Sequence, residues 1–151
     1  MTASVIAVLQ LTSSVISTCY IYQSGVRDAA KNARKLNEYL VGMRSVLEQV
    51  DKLIQDPSEF RFSNLERLSA QDGPLMRCKS ELDDLKIKLE PKAGWKEKIR
   101  SLTWPLKEGD MKKSLEHLEN LRELLRIAME ADHLYVCLVA TFLWRTDVSN
   151  P

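Results

Sequence analysis

Reactive side chains are scarce in this 151-residue chain, and none stands at a spacing that supports catalysis. The two histidines, His117 and His133, lie 16 residues apart on the last predicted helix. Glu116-His117 lacks the second histidine that a zinc-binding His-Glu-x-x-His pattern requires. No Gly-x-Ser-x-Gly elbow and no Gly-x-x-x-x-Gly-Lys phosphate loop occurs. Asp83 and Asp84 are a carboxylate pair, but adjacent helical residues point about 100° apart, so they read as a solvated face. Cys19, Cys78 and Cys137 are odd in number and widely spaced, which suits neither a disulfide framework nor a zinc site. Each falls in an apolar stretch, so they read as reduced core thiols. The expectation is a protein that is not an enzyme and has no cofactor and no metal.

The better candidates are surfaces. Residues 92–107 carry Lys92, Lys96, Lys98, Arg100 and Lys107 against the single Glu97, with Trp95, Ile99 and Leu102 on one side. Lysines around an apolar strip are what an interfacial helix presents to anionic lipid. The alternative, which is preferred because Pro91 and Pro105 bracket the segment, is a connector whose tryptophans, Trp95 and Trp104, plug the end of a bundle. Five cations are too narrow a basic face for nucleic acid, and a net charge of +1 adds no general attraction.

The second candidate surface is at the N-terminus, where Arg27 is the first charged side chain. Segment 3–24 groups Val5, Val8, Leu9, Val15, Ile16, Cys19 and Tyr20 on one side of a helix, opposite Gln10, Ser13, Ser17 and Ser24. Ten Ser, Thr or Gln side chains between Thr2 and Ser24 make this stretch a poor membrane span, and it lacks the basic start of a secretory signal. It reads as a bundle helix; insertion in a membrane is the alternative, since no ion would need desolvation.

The elements that must position these residues are helices. Ala29, Ala33, Leu36, Leu40, Met43, Leu47, Val50 and Ile54 follow at alternating steps of four and three, one apolar seam along a helix from Asp28 to Gln55. Asp56-Pro57 ends it. Residues 57–72 form the longest connection, with one short helical turn around Leu65 and Leu68. Asp72-Gly73-Pro74 starts a third helix over 74–90, with Leu75, Cys78, Leu82, Leu85 and Leu89 in phase. A fourth begins near Gly109-Asp110, carries Met111, Leu115, Leu118, Leu121, Leu125 and Ala128, and is free to continue beyond His133. The charge-free stretch Leu134 to Trp144, 11 residues long, is too short to span a bilayer and is set apart as a C-terminal tail, 134–151. At 44% apolar and 28% charged, the chain suits one soluble domain over residues 1–133.

Four stretches also resemble a known family: "ASVIAVLQLTSSVISTCYIYQSGVRDA" at 3–29, "MRSVLEQ" at 43–49, "LSAQDGPLMRCKSELDDLKIKLEP" at 68–91 and "LTWPLKEGD" at 102–110. They are similar to the fungal N-terminal domain of STAND-type NACHT and ankyrin receptors, also described as HeLo-like. The same family includes the N-terminal domain of azaphilone pigment biosynthesis cluster protein L. The resemblance covers about residues 1–130 and implies an intracellular helical bundle without enzymatic activity, the signalling end of larger receptors. Some HeLo-type domains act on membranes in fungal cell death through the first helix. Residues 134–151 depart from the pattern, with no phosphate loop and no repeats, so an adaptor, a regulator and a truncated receptor all fit.

The resulting expectation is an all-α, up-and-down bundle of four main helices plus a short basic amphipathic helix. It would sit in the cytoplasm and work as an interaction or signalling module, with a protein partner or self-association through helices. The alternatives are an accessory protein of a secondary-metabolite gene cluster, or a membrane-peripheral effector on an anionic surface. If the seam is core, Leu40→Asp or Leu47→Asp buries an unpaired charge and removes several kcal/mol of a total of about 5–15 kcal/mol. Denaturant unfolding checks this, and unchanged stability would mean that the seam faces water.

Overall fold

A computed structural model describes residues 2–25, 27–55, 67, 73–91, 93–94, 96 and 103–148. They form four helices: α1 (Thr2–Gln23), α2 (Arg27–Gln55), α3 (Pro74–Leu89) and α4 (Glu108–Val148). No strand occurs among the described residues. The turn predicted around Leu65 and Leu68 lies outside them, as do Trp95, Lys98 and Arg100.

The α2 seam is the centre of the core. Leu36, Leu40, Met43, Leu47 and Val50 are buried and Ile54 is partly buried against them. α3 contributes Leu75, Cys78, Leu82, Leu85 and Leu89. α4 turns a line from Met111 through Ser114, Leu118, Leu121, Leu125 and Ala128 to Asp132 inward, again at steps of three and four.

On α1 the buried stripe runs Val5, Val8, Thr12, Val15, Ile16, Cys19 and Tyr22. One expectation is corrected here, and residues that the sequence reading placed on neither side are added. Tyr20 is 57% exposed because it lies at the edge of that stripe, two residues short of the next inward position. Thr12 takes the centre instead, its hydroxyl donating to the Val8 carbonyl at 2.7 Å, which removes the penalty of burying it. Tyr22 completes the stripe and donates its hydroxyl to the Leu89 carbonyl at the end of α3.

Chain direction alternates, but the spatial order is not sequential. α1 packs on α2 and α3, and α4 packs on α2 and α3. The tight turn through Ser24 and Gly25 makes α1 and α2 antiparallel. The Tyr22–Leu89 bond joins two C-terminal ends, so α1 and α3 run parallel. On the other side, Tyr39 meets Glu119, and Leu53 lies beside Met129 and His133, so α2 and α4 are parallel too. The chain therefore crosses the bundle diagonally between α2 and α3. Gly94, at φ 83°, supplies a left-handed turn in the return from α3 to α4.

α2 and α4 approach closely at Gly42, where an added Cβ would sit 3.0 Å from Arg122 Nη1. That accounts for a glycine mid-helix, which otherwise costs about 0.5–1 kcal/mol relative to alanine. The space lets Arg122 lie over the Tyr39 ring at 4.9 Å and donate to both Glu119 oxygens at 2.9 Å. The Tyr39 hydroxyl donates to the same carboxylate and holds Glu119 below the usual carboxylate range, with Arg122 adding to the effect.

Burial pushes the Cys19 and Cys78 thiols up to about 12 from an ordinary 9.0. The folded chain keeps these protons after the unfolded chain has released them. Their contribution to stability is thus complete below pH 9 and lost as pH rises toward 12. Each thiol steepens the alkaline fall by up to about 1.4 kcal/mol per pH unit. Denaturant midpoints should decline more gently above pH 9 in a Cys19→Ala/Cys78→Ala variant, and an unchanged slope would contradict this.

Candidate interaction surface

α4 outruns its neighbours. Its 41 residues make a rod about 60 Å long, and α2 ends alongside its residues 129–133. Residues 134–148 therefore continue about 22 Å past the bundle as the same helix. The continuation of the fourth helix beyond His133, which the sequence allowed, extends to Val148, since nothing between Ala128 and Trp144 breaks a helix. Thr141 satisfies its hydroxyl internally by donating to the Cys137 carbonyl at 2.8 Å.

The projecting turns carry large apolar side chains in water. Leu134, Tyr135, Leu138, Phe142, Leu143 and Trp144 are each more than half exposed. Cys137 is exposed as well, correcting its assignment as a core thiol: the apolar run that contains it lies past the ends of the other described helices. Its sulfur lies 3.7 Å from His133 Nε2, one helical turn away.

The exposed apolar line begins before the bundle ends. Leu124, Ile127, Ala131, Leu134, Leu138 and Phe142 are spaced three, four, three, four and four residues apart, and all are exposed. This is a second seam, offset roughly 120° around the axis from the core-facing one. Leu124 is 46% exposed while its neighbour Leu125 is 1% exposed, so the two seams run side by side. The sequence reading missed it. The spacing was present, but the core-facing line from Met111 to Ala128 already accounted for the helix.

The surfaces chosen from sequence are placed apart. On α1, Gln10 and Ser17 are exposed and Ser13 is half-buried, with the Ser17 hydroxyl donating to the Ser13 carbonyl. Trp104 lies at the far end, half-buried, its ring 5.3 Å from that of Tyr22 in an edge-on contact. Lys96 is exposed. Gln10, Ser13 and Ser17 therefore share no surface with Trp104.

Beside Trp104 a groove of about 690 Å³ opens between α2 and α4, with Lys31, Lys35 and Lys112 facing Asp28, Glu108 and Glu116. Glu119 adds a fourth carboxylate against the three lysines, and charges so mixed select no single ligand chemistry. Among the described residues, no group of three or more His, Cys, Asp or Glu side chains could hold a metal ion.

Two segments are long and apolar enough to cross a membrane by length and composition, Val5–Gln23 and Glu108–Asp147. The first uses its apolar stripe in the core. In the second only residues 134–144 are free of charge, about 16 Å of helix against the ~30 Å of a bilayer interior. Comparison with models of protein families, with curated proteins and with solved structures returns no match for this chain.

Adjacent leucines on α4 should respond oppositely to the same change. In dilute protein, Leu125→Asp should cost several kcal/mol and Leu124→Asp less than about 0.5 kcal/mol. Denaturant unfolding distinguishes them, and equal losses would show that the outer seam is buried in the monomer.

Proposed function

We propose that the protein is a non-enzymatic interaction module that docks through α4, its bundle serving to hold that helix outward. The observation that carries this reading is the exposed seam from Leu124 to Phe142 with the projecting turns beyond it. A soluble monomer rarely shows a contiguous apolar patch above about 300–600 Å², and larger ones mark contact sites. Apolar spacing of three and four, rather than a pocket, fits a helix as the counterpart. The reading agrees with the resemblance of residues 1–130 to the signalling domains of fungal STAND receptors. An accessory protein of a secondary-metabolite gene cluster would use the same surface and differ only in what it binds.

A diazirine cross-linker in place of Leu138 tests this in extracts of the cells that make the protein. The expected result is saturable adducts with one or a few proteins, abolished by Leu134→Asp and missing when the probe replaces exposed Lys113. Adducts with lipid alone, or none, would overturn the reading.

A further inference from the structure

We infer that His133 and Cys137 form a two-ligand site on α4 for a thiophilic divalent cation of the Zn²⁺ and Cd²⁺ class. The site goes beyond the contact proposed for the outer seam and is independent of it. The two side chains stand four residues apart, one turn along the helix, and so project from one face. Both are exposed, and Cys137 Sγ lies 3.7 Å from His133 Nε2.

This separation matches a coordinated pair. Zinc bonds an imidazole nitrogen at about 2.0–2.1 Å and a thiolate sulfur at about 2.3 Å. At a tetrahedral angle of about 110° those bonds set nitrogen and sulfur ~3.6 Å apart, whereas a linear arrangement needs ~4.4 Å. The two donors therefore already stand at the spacing that a tetrahedral ion imposes. A helix holds the spacing, because both Cα positions are fixed by the same turn.

The donor set selects the cation. One imidazole and one thiolate favour borderline and soft ions over Mg²⁺ and Ca²⁺, which take oxygen ligands. Glu130 and Lys52, beside His133 in the groove between α2 and α4, oppose each other in charge, and Glu130 is also held by Arg126 at 3.2 Å. Water fills the two remaining positions of the ion, since the pair faces solvent. On binding, the Cys137 S–H bond breaks and its proton passes to solvent. The thiolate sulfur and the His133 Nε2 lone pair then bond the ion, while the imidazole keeps its proton on Nδ1.

The place on the helix separates this site from the two apolar lines. At about 100° per residue, the pair lies roughly 110–125° around the axis from both the core-facing line and the outer seam. An ion there displaces neither, and it bridges the turn at which α4 passes the end of α2. The other candidate ligands are engaged elsewhere. Cys19 and Cys78 are enclosed in the core, and His117 lies 3.4 Å from Glu81 of α3.

Equilibrium dialysis of the reduced full chain against Zn²⁺ tests the site, together with Cd²⁺ titration followed by the thiolate-to-metal charge-transfer band. One ion per chain should bind with a Kd on the order of 10 µM, half the ligands of a structural zinc site giving about half its binding free energy. About one proton should leave per ion. His133→Ala and Cys137→Ala should each weaken binding at least ~10-fold, with the thermal midpoint of the metal-free protein unchanged. Cys137→Ala should also abolish the Cd²⁺ band, and His117→Ala should bind as the parent chain does. Zn²⁺ should slow amide exchange just beyond His133 in the parent chain and not in Cys137→Ala. No saturable binding below ~1 mM Zn²⁺, undiminished binding by either ligand variant, or a Cd²⁺ band that persists without Cys137 would each overturn the inference. Cross-linking from Leu138 reads the outer seam separately, so failure here leaves that reading standing.

Discussion

Burial of the α2 seam is the interaction on which the rest of the structure depends. Leu36, Leu40, Met43 and Leu47 are fully enclosed, touched by α1 on one side and α4 on the other. An isolated helix of this length is marginal in water, and its stability comes from packing one apolar face. With that face covered, α2 fixes where α1 turns back at Gly25 and where α4 is held along Tyr39, Gly42 and Leu53. α3 then closes the fourth side through Tyr22 and Leu89.

That arrangement also explains why α4 can carry two apolar seams without collapsing onto itself. The core takes the line from Met111 to Asp132, and no further helix among the described residues covers the line from Leu124 to Phe142. α2 ends at Gln55, level with the last buried turn of α4, so none of the other described helices runs beside the projecting turns. Hydrophobic area left in water opposes solubility unless another surface removes it. The length difference between α2 and α4 is therefore what leaves the outer seam of α4 exposed.

Much of this was legible in the residues. Steps of three and four gave the core faces of α2, α3 and α4, and Pro74 marked the start of α3, where its missing N–H is harmless. α1 was read less well because apolar side chains surround much of it, so composition alone does not say which side faces in. There Thr12 replaced Tyr20, since a threonine that bonds its own backbone is easily buried. The diagonal passage from α2 to α3 could not be read, because a long connection is compatible with either neighbour. The projecting end of α4 was hidden for another reason. An apolar run signals burial, and only the lengths of the other described helices show that it runs past them.

Residue-resolved amide hydrogen exchange of α4, followed against protein concentration, bears most directly on the account. Residues 108–133 should be protected throughout, while 134–148 exchange quickly in dilute protein and slow when a binding protein is added. Strong protection of 134–148 at every dilution would mean that this segment folds back onto its own bundle, and no outward-facing seam would exist.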